Sequence, residues 1–201
     1  MLNLNKVAVT GGLSSGKSTA CRIFKELGAY VVNADEIVHQ LLSPKNQIGQ
    51  QVITLLGEDV VVNGQIDRSK IAKIVFSNPA LLRSLEKLLH PAVISEIDKQ
   101  YQNIKHQGTA ALFVAEVPLL FEIEGEKFFE YTIAITTDVN ISRQRFKAST
   151  GCGDDDYTKR MGKQMAPEEK AQRADFVIYN NGTEEEMRRQ IGHLYNKLLS
   201  S

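Results

Sequence analysis

The shortages in this chain narrow its class before any motif is read. Only two cysteines occur, Cys21 and Cys152, far apart and without paired spacing. That disfavours a disulfide framework or a zinc site and points to a reducing compartment, so a cytoplasmic location is expected. Cys152 stands between Gly151 and Gly153 and reads as an exposed, inert thiol. Neither sign of charge is in excess: Lys+Arg and Asp+Glu both total 24, and the net charge is zero. No bulk attraction for nucleic acid follows, and an anionic ligand has to be held by local clusters. No apolar run approaches the length of a membrane span, and the N-terminus reads as strand rather than as a secretory leader. Neither a nucleic-acid nor a membrane partner is therefore expected. Internal repeats and low-complexity tracts are lacking. With 201 residues the chain is expected to form one domain, with room for an insertion and a substantial core.

What is present starts at residue 11. Gly11-Gly12-Leu13-Ser14-Ser15-Gly16-Lys17-Ser18 is a complete phosphate-binding loop: glycine, four residues, Gly-Lys, then Ser or Thr. The glycines let the backbone turn and aim N–H groups at phosphate oxygens. Lys17 brings a mobile positive charge to the β- and γ-phosphates. The Ser18 hydroxyl is a hard oxygen ligand suited to Mg²⁺. The bare pattern arises by chance in roughly one chain in a hundred of this length, so its flanks matter. Lys6–Thr10 is mostly apolar and β-prone, as a strand buried on both faces should be. Thr19–Leu27 has helical spacing, with Ile23, Phe24 and Leu27 on one side, and Gly28 stops it. Strand, glycine loop and helix are the context the motif requires.

Further along, Tyr30–Val32 reads as a second strand, and Asn33-Ala34-Asp35 opens a helix to about Leu42 that Ser43-Pro44 breaks. From about 46 to 106 the chain reads as helices with little strand. Gln47–Leu56 is amphipathic, and Val60–Val62 makes a brief extended piece in a turn-rich link. Asp67 is placed to cap a helix through Phe76. Asn78-Pro79 starts another, with Leu81, Leu82, Leu85, Leu88 and Leu89 as its buried stripe. His90-Pro91 reads as a joint, after which a longer helix runs to about Lys105. Ala110–Val117 is an apolar strand and Tyr131–Thr136 another. Val139 to about Lys147 is a basic helix. Ser149–Asp156 reads as a mobile loop, followed by helices at Tyr157–Met165 and Glu168–Ala174. A short strand at Phe176–Tyr179 and a helix at Thr183–Leu199 close the chain, Thr183 with Glu186 being a capping-box signature. Strands alternating with helices predict an α/β fold, a parallel sheet covered on both faces, with ligands at the C-terminal strand edge. The loop at 11–18, the turn at 33–35 and the segment at 116–120 all fall on that edge.

These stretches together resemble the dephospho-CoA kinase family. The resemblance rests on Thr10-Gly11-Gly12 with Ser15-Gly16-Lys17-Ser18-Thr19, on Ala34-Asp35, on Gly64-Gln65-Ile66-Asp67-Arg68 and on Ile74-Val75-Phe76 with Asn78-Pro79. It continues through Leu89-His90-Pro91, Val117-Pro118-Leu119-Leu120-Phe121-Glu122, Gln164-Met165, Arg173-Ala174-Asp175, and Val177-Ile178 with Asn180. The order and spacing of Asp35, Leu89-His90-Pro91 and Val117–Leu120 carry far more specificity than the phosphate loop. The resemblance implies a P-loop kinase core at 1–33, 107–148 and 175–201, a helical acceptor-binding region at 34–106, and a lid at 149–174. It implies transfer of the γ-phosphate of ATP to the ribose 3′-hydroxyl of dephospho-CoA, with Mg²⁺, by a monomer or weak homo-oligomer. This chain departs from the family's pattern in having Asn33 for Asp, His39 for Arg and Ser149 for a lid arginine. Those changes bear on lid contacts and substrate affinity.

Carried over residue by residue, the resemblance implies an ATP site of Gly11, Gly12, Leu13, Ser14, Ser15, Gly16, Lys17, Ser18, Thr19 and Asn181. Mg²⁺ is expected on Ser18, and on Asp35 through water. Catalytic roles are expected for Lys17, Asp35, Arg145 and Arg160. Asp35 either accepts or orients the 3′-hydroxyl proton, or only caps its helix. Arg145 and Arg160 flank the expected lid, and a guanidinium matches phosphate oxygens bidentately. Acceptor contacts are expected from Asp35, His90, Pro118, Leu119 and Leu120, although a lone histidine is more often structural. Glu116 reads equally as a metal-side carboxylate or a solvated strand end. Two other functions compete. A nucleoside or nucleotide kinase shares the core but not Leu89-His90-Pro91 or Val117–Leu120. A guanine-nucleotide switch needs Asn-Lys-any-Asp, and neither Asn5-Lys6 nor Asn196-Lys197 is followed by Asp at the required place.

Overall fold

The computed structural model describes residues 4–200. In chain order its elements are β1 (Asn5–Gly11), α1 (Lys17–Glu26), β2 (Tyr30–Asn33), α2 (Ala34–Leu41), α3 (Gln47–Leu56), β3 (Val61–Val62), β4 (Gln65–Ile66), α4 (Arg68–Ser77) and α5 (Pro79–Gln107), followed by β5 (Leu112–Glu116), β6 (Tyr131–Thr136), α6 (Val139–Thr150), α7 (Asp154–Met161), α8 (Pro167–Arg173), β7 (Phe176–Tyr179) and α9 (Glu184–Leu199). They divide into two compact units. One comprises the chain up to Asn33 and from Tyr101 onward, and the other is Ala34–Gln100, whose far boundary lies inside α5.

The first unit holds a five-stranded sheet in the order β2-β5-β1-β6-β7, every pairing parallel. It is the parallel α/β sheet that the alternation of strands and helices predicts. β1 is central and all seven of its residues are buried, which explains why its sequence is apolar without alternating. Val7, Val9, Leu112, Val114, Ile133 and Ile135 meet Ile23 and Phe24 of α1 and Met187, Ile191 and Leu198 of α9 in one core. Because the strands are parallel, β1, β2, β5 and β7 end on one edge, at Gly11, Asn33, Glu116 and Tyr179. No helix among the described residues is long and apolar enough to cross a membrane.

The second unit packs α3, α4 and the first part of α5 around Val52, Ile53, Val60, Ile71, Val75 and Leu85, with Leu81, Leu82, Leu88 and Leu89 against them. Asp67 caps α4, its Oδ1 accepting from the N–H groups of Ser69 at 2.8 Å and Lys70 at 3.2 Å. The extended piece at Val61–Val62 has a partner that sequence reading missed. It pairs antiparallel with Gln65–Ile66. Asn63 and Gly64 turn the chain with φ of 50° and 73°, the two left-handed residues a type I′ hairpin needs.

Two further differences from the sequence reading have local causes. His90-Pro91 is not a joint, because α5 runs unbroken through Pro91 for 29 residues. The proline forfeits the bond to the carbonyl of Lys87, a loss of about 3 kcal/mol with its ring clash. Burial continues on both sides, at Leu85 before it and at Val93 and Ile97 after it, and that packing outweighs the break. Ser149–Asp156 is not a long loop. α6 extends to Thr150, and α7 starts at Asp154, leaving Gly151–Gly153 between them. Asp154, Asp155 and Asp156 are the first turn of α7, where negative charge meets the positive end of the helix dipole. Cys152 in that link is half-buried rather than exposed.

Candidate active site

The phosphate loop and the residues around it belong to the first unit. β1 delivers the chain at Gly11 into a tight loop, and α1 begins at Lys17 with no side-chain cap and no acidic residue in its first turn. Its leading N–H groups are thus left for an anion. Gly16 is required twice over. Its φ of 98° is left-handed, and a Cβ there would meet Asn180 Nδ2 at 2.2 Å. Lys17 folds back over its own loop, Nζ donating to the carbonyls of Gly12 at 2.8 Å and Gly11 at 3.2 Å. The Ser15 hydroxyl is buried without a hydrogen-bond partner among the described residues. Such an orphan is uncommon in a closed core and suits a loop shaped around a ligand. Ser14, Ser15, Gly16, Lys17, Ser18, Thr19, Glu116, Arg145 and Ser149 line a cavity of about 270 Å³.

Glu116 is 6% exposed, so it is not a solvated strand end. Its Oε1 accepts from Ser18 Oγ at 3.0 Å and its Oε2 from Asn33 Nδ2 at 3.1 Å. An aspartate in place of Asn33 would set a second carboxylate at that short distance, which the amide avoids. Beside them Cys21 is buried, and its thiol is pushed well up, first by burial and then by the charge and hydrogen bond of Glu116, against a smaller opposing effect of Lys17. It stays a neutral thiol. The resemblance points to the Asn180-Asn181-Gly182 turn for adenine contacts, with Asn181 expected in the ATP site, and it is Asn180 that touches the phosphate loop. Asn180 is buried, donates from Nδ2 to the Ser15 carbonyl at 2.8 Å, and accepts at its own carbonyl from Thr137 Oγ1 at 2.8 Å and Arg145 Nη1 at 3.2 Å. Its place directly after β7, on the strand-end edge, was the available signal. Asn181 instead accepts from the Asp138 N–H at 2.8 Å and from Thr137 Oγ1 at 3.1 Å, closing the turn into α6.

The structure does not gather all the expected residues. Arg145 lines the phosphate-loop cavity, whereas Arg160 is exposed on α7 with its guanidinium 5.3 Å from the centre of the Phe146 ring. Of the segment after β5, Pro118 gives its carbonyl to Thr10 Oγ1 at 3.2 Å, Leu120 is fully buried and Leu119 is 37% exposed. Leu119 is the apolar side chain of the three that reaches outward. Asp35 and His90 belong to the second unit. Asp35 is exposed in the first turn of α2. His90 is half-buried on α5, and burial lowers its pKa while Glu86 one turn earlier pulls the other way.

Among the described residues no three His, Cys, Asp or Glu gather as a metal site. The Ser18 hydroxyl and the Glu116 carboxylate are nonetheless hard oxygen donors, and they suit an ion of the Mg²⁺ type that keeps most of its shell as water and phosphate. A parallel sheet with this loop at the end of its central strand and such a donor pair beside it defines a P-loop nucleotide-binding protein.

Comparison with known proteins makes the class particular. A family model for dephospho-CoA kinase matches residues 5–186. The dephospho-CoA kinase of Protochlamydia amoebophila is 51% identical over 199 residues, covering 98% of each chain. Among solved structures, one from Thermus thermophilus superposes with a TM-score of 0.84 at 28% identity, covering 97% of this chain and 98% of that one. The dephospho-CoA kinase of Campylobacter jejuni superposes with a TM-score of 0.72 at 26% identity, covering 96% of both. The chain belongs to the dephospho-CoA kinase family.

Proposed function

We propose that this chain transfers the γ-phosphoryl group of ATP to the ribose 3′-hydroxyl of dephospho-CoA, giving CoA and ADP. The observation that carries the reading is the match to one family across residues 5–186, on a chain whose phosphate loop is fully formed. The 3′-oxygen attacks the γ-phosphorus, the bond from that phosphorus to the β–γ bridging oxygen breaks, and ADP leaves. Little covalent chemistry falls to the protein, which positions the two substrates and neutralises charge.

Each group has a part to play. The N–H groups of Gly11–Ser18 hold the β- and γ-phosphates, and Lys17, now resting on Gly11 and Gly12, swings to them when they arrive. Ser18 and Glu116 are the groups that hold Mg²⁺. When bound, that ion neutralises charge shared by the β- and γ-oxygens. Asn33 and Ser18 keep the Glu116 carboxylate oriented. Arg145, already at the cavity, adds charge at the transferring group, and Arg160 is a second lid arginine that reaches it only by leaving Phe146. Asp35 takes the 3′-hydroxyl proton or orients that hydroxyl. His90, Pro118 and Leu119 form acceptor contacts, and Leu120 supports them from beneath. Asn181 and Asn180 border the adenine. The chain is assigned a kinase core, an acceptor region at 34–106 and a lid at 149–174, and works in the cytoplasm as a monomer or weak homo-oligomer.

The acceptor is tested by offering ATP and Mg²⁺ with dephospho-CoA, adenosine or AMP in parallel, and weighing the products. Dephospho-CoA gains one phosphate and the other two remain unchanged. Phosphorylation of AMP or adenosine at a comparable rate would favour the nucleotide-kinase reading instead.

A further inference from the structure

The most deeply buried charge in the first unit takes no part in the chemistry above. Lys170 of α8 is 0% exposed. Its Nζ donates to the Pro118 carbonyl at 2.7 Å and pairs with Glu122 Oε1 at 2.8 Å. Burying such a pair is costly, and an apolar pair of similar volume is often as stable or more so. Stability is thus a weak reason for a lysine here, and its contacts suggest another.

Three segments meet at this ammonium group. The Pro118 carbonyl that it holds also accepts from Thr10 Oγ1, one residue before the phosphate loop. Glu122 Oε1 also accepts from the Met165 N–H at 2.9 Å, at the start of the segment that leads into α8. Farther along α8, Arg173 lies 4.7 Å from the centre of the Phe121 ring and pairs with Glu126. At the start of α8, Pro167 sits 3.0 Å from where a Cβ on Gly12 would be. One short helix therefore fixes the 118–126 segment at several points while bordering the phosphate loop. Glu122 Oε2, by contrast, is buried with no hydrogen-bond partner among the described residues, so the carboxylate is held through Oε1 alone. Lys170 is the donor that joins Oε1 to the Pro118 carbonyl.

We propose that Lys170 is a positioning residue for the acceptor: by clamping the Pro118 carbonyl and Glu122 together it sets the Pro118–Leu119 wall that dephospho-CoA meets. This rests on the reading of that wall as an acceptor contact. The clamp ties the end of the lid region to the acceptor side, and the Lys170 ammonium bonds to Pro118 and Glu122 rather than to the phosphate-loop backbone. Its loss therefore separates the two substrates, whereas loss of mere structure lowers the active fraction and leaves both KM values in place.

The test is steady-state kinetics of the wild type, Lys170→Met and Lys170→Arg with each substrate varied. Lys170→Met raises the KM for dephospho-CoA at least tenfold and leaves the KM for ATP within twofold. Lys170→Arg recovers part of the loss, because a guanidinium still donates to both oxygens. Equal changes in the two KM values, or none, would overturn the proposal. If Lys170→Met does not fold, Glu122→Gln removes the counter-charge with little change of shape. It predicts the same split in KM, and an unchanged acceptor KM rejects the clamp. If the wild type does not use dephospho-CoA, the kinase reading fails on its own, and amide hydrogen exchange then decides. Faster exchange in the variant at both 118–122 and 165–173, with 11–17 unchanged, supports the clamp, and unchanged exchange at 118–122 rejects it.

Discussion

Glu116 shows how a single residue gains meaning from its neighbours. In sequence it is one carboxylate at a strand end. In the fold it is buried, with Ser18 on one oxygen and Asn33 on the other, so it is fixed by two hydrogen bonds rather than solvated. Lys170 carried no motif at all, because its partners are separated from it by 48 and 52 positions. His90 is a residue for which pH supplies a test. Burial holds its pKa below the ordinary value of about 6.5. Between that lowered value and 6.5 the unfolded chain binds the proton and the folded chain does not. Stability therefore rises with pH through this window and is lost as pH falls. Urea midpoints at pH 7 and pH 5 are expected to differ less for His90→Gln than for the wild type. Equal differences would show that His90 is not desolvated in the fold.

At the scale of elements, the legible parts were those set by local chemistry. Asp67 at the head of α4, and Gln47–Leu56 with its amphipathic spacing, stand where the sequence puts them. Thr183 and Glu186 form the full reciprocal box, with Glu186 N–H donating to Thr183 Oγ1 at 3.2 Å and Thr183 N–H to Glu186 Oε2 at 2.9 Å. Thr183→Ala is expected to cost about 1 kcal/mol and to lower the melting temperature by roughly 2–4 °C. A calorimetric scan with no shift would show that the cap adds nothing to α9. What misled lay in rules that tertiary packing overrides. Pro91 signals a break, yet the apolar burial along α5 carries the helix across it. The run Asp154–Asp156 signals a solvated loop, yet it is a favourable first turn for α7. The β3–β4 hairpin escaped notice because two-residue strands have no periodicity to read, although Asn63-Gly64 was its signal.

At the scale of the molecule, a chain of zero net charge handles highly anionic substrates. On one sheet edge lie the phosphate loop after β1, Glu116 at the end of β5 and Asn180 after β7. That edge was legible, because alternating strands and helices imply a parallel sheet and hence a common strand-end face. Which asparagine touches the loop was not, since Asn180 and Asn181 are adjacent and only the backbone turn decides between them. Asp35 and His90 belong to the helical unit and the phosphate loop to the sheet unit. The central claim is acceptor-dependent phosphoryl transfer, and the rate of ADP release from ATP and Mg²⁺, with and without dephospho-CoA, tests it most directly. The account predicts ADP only when dephospho-CoA is present, in equal amount to the CoA formed, and none above background for Lys17→Ala. ADP release at the same rate with and without dephospho-CoA would contradict it.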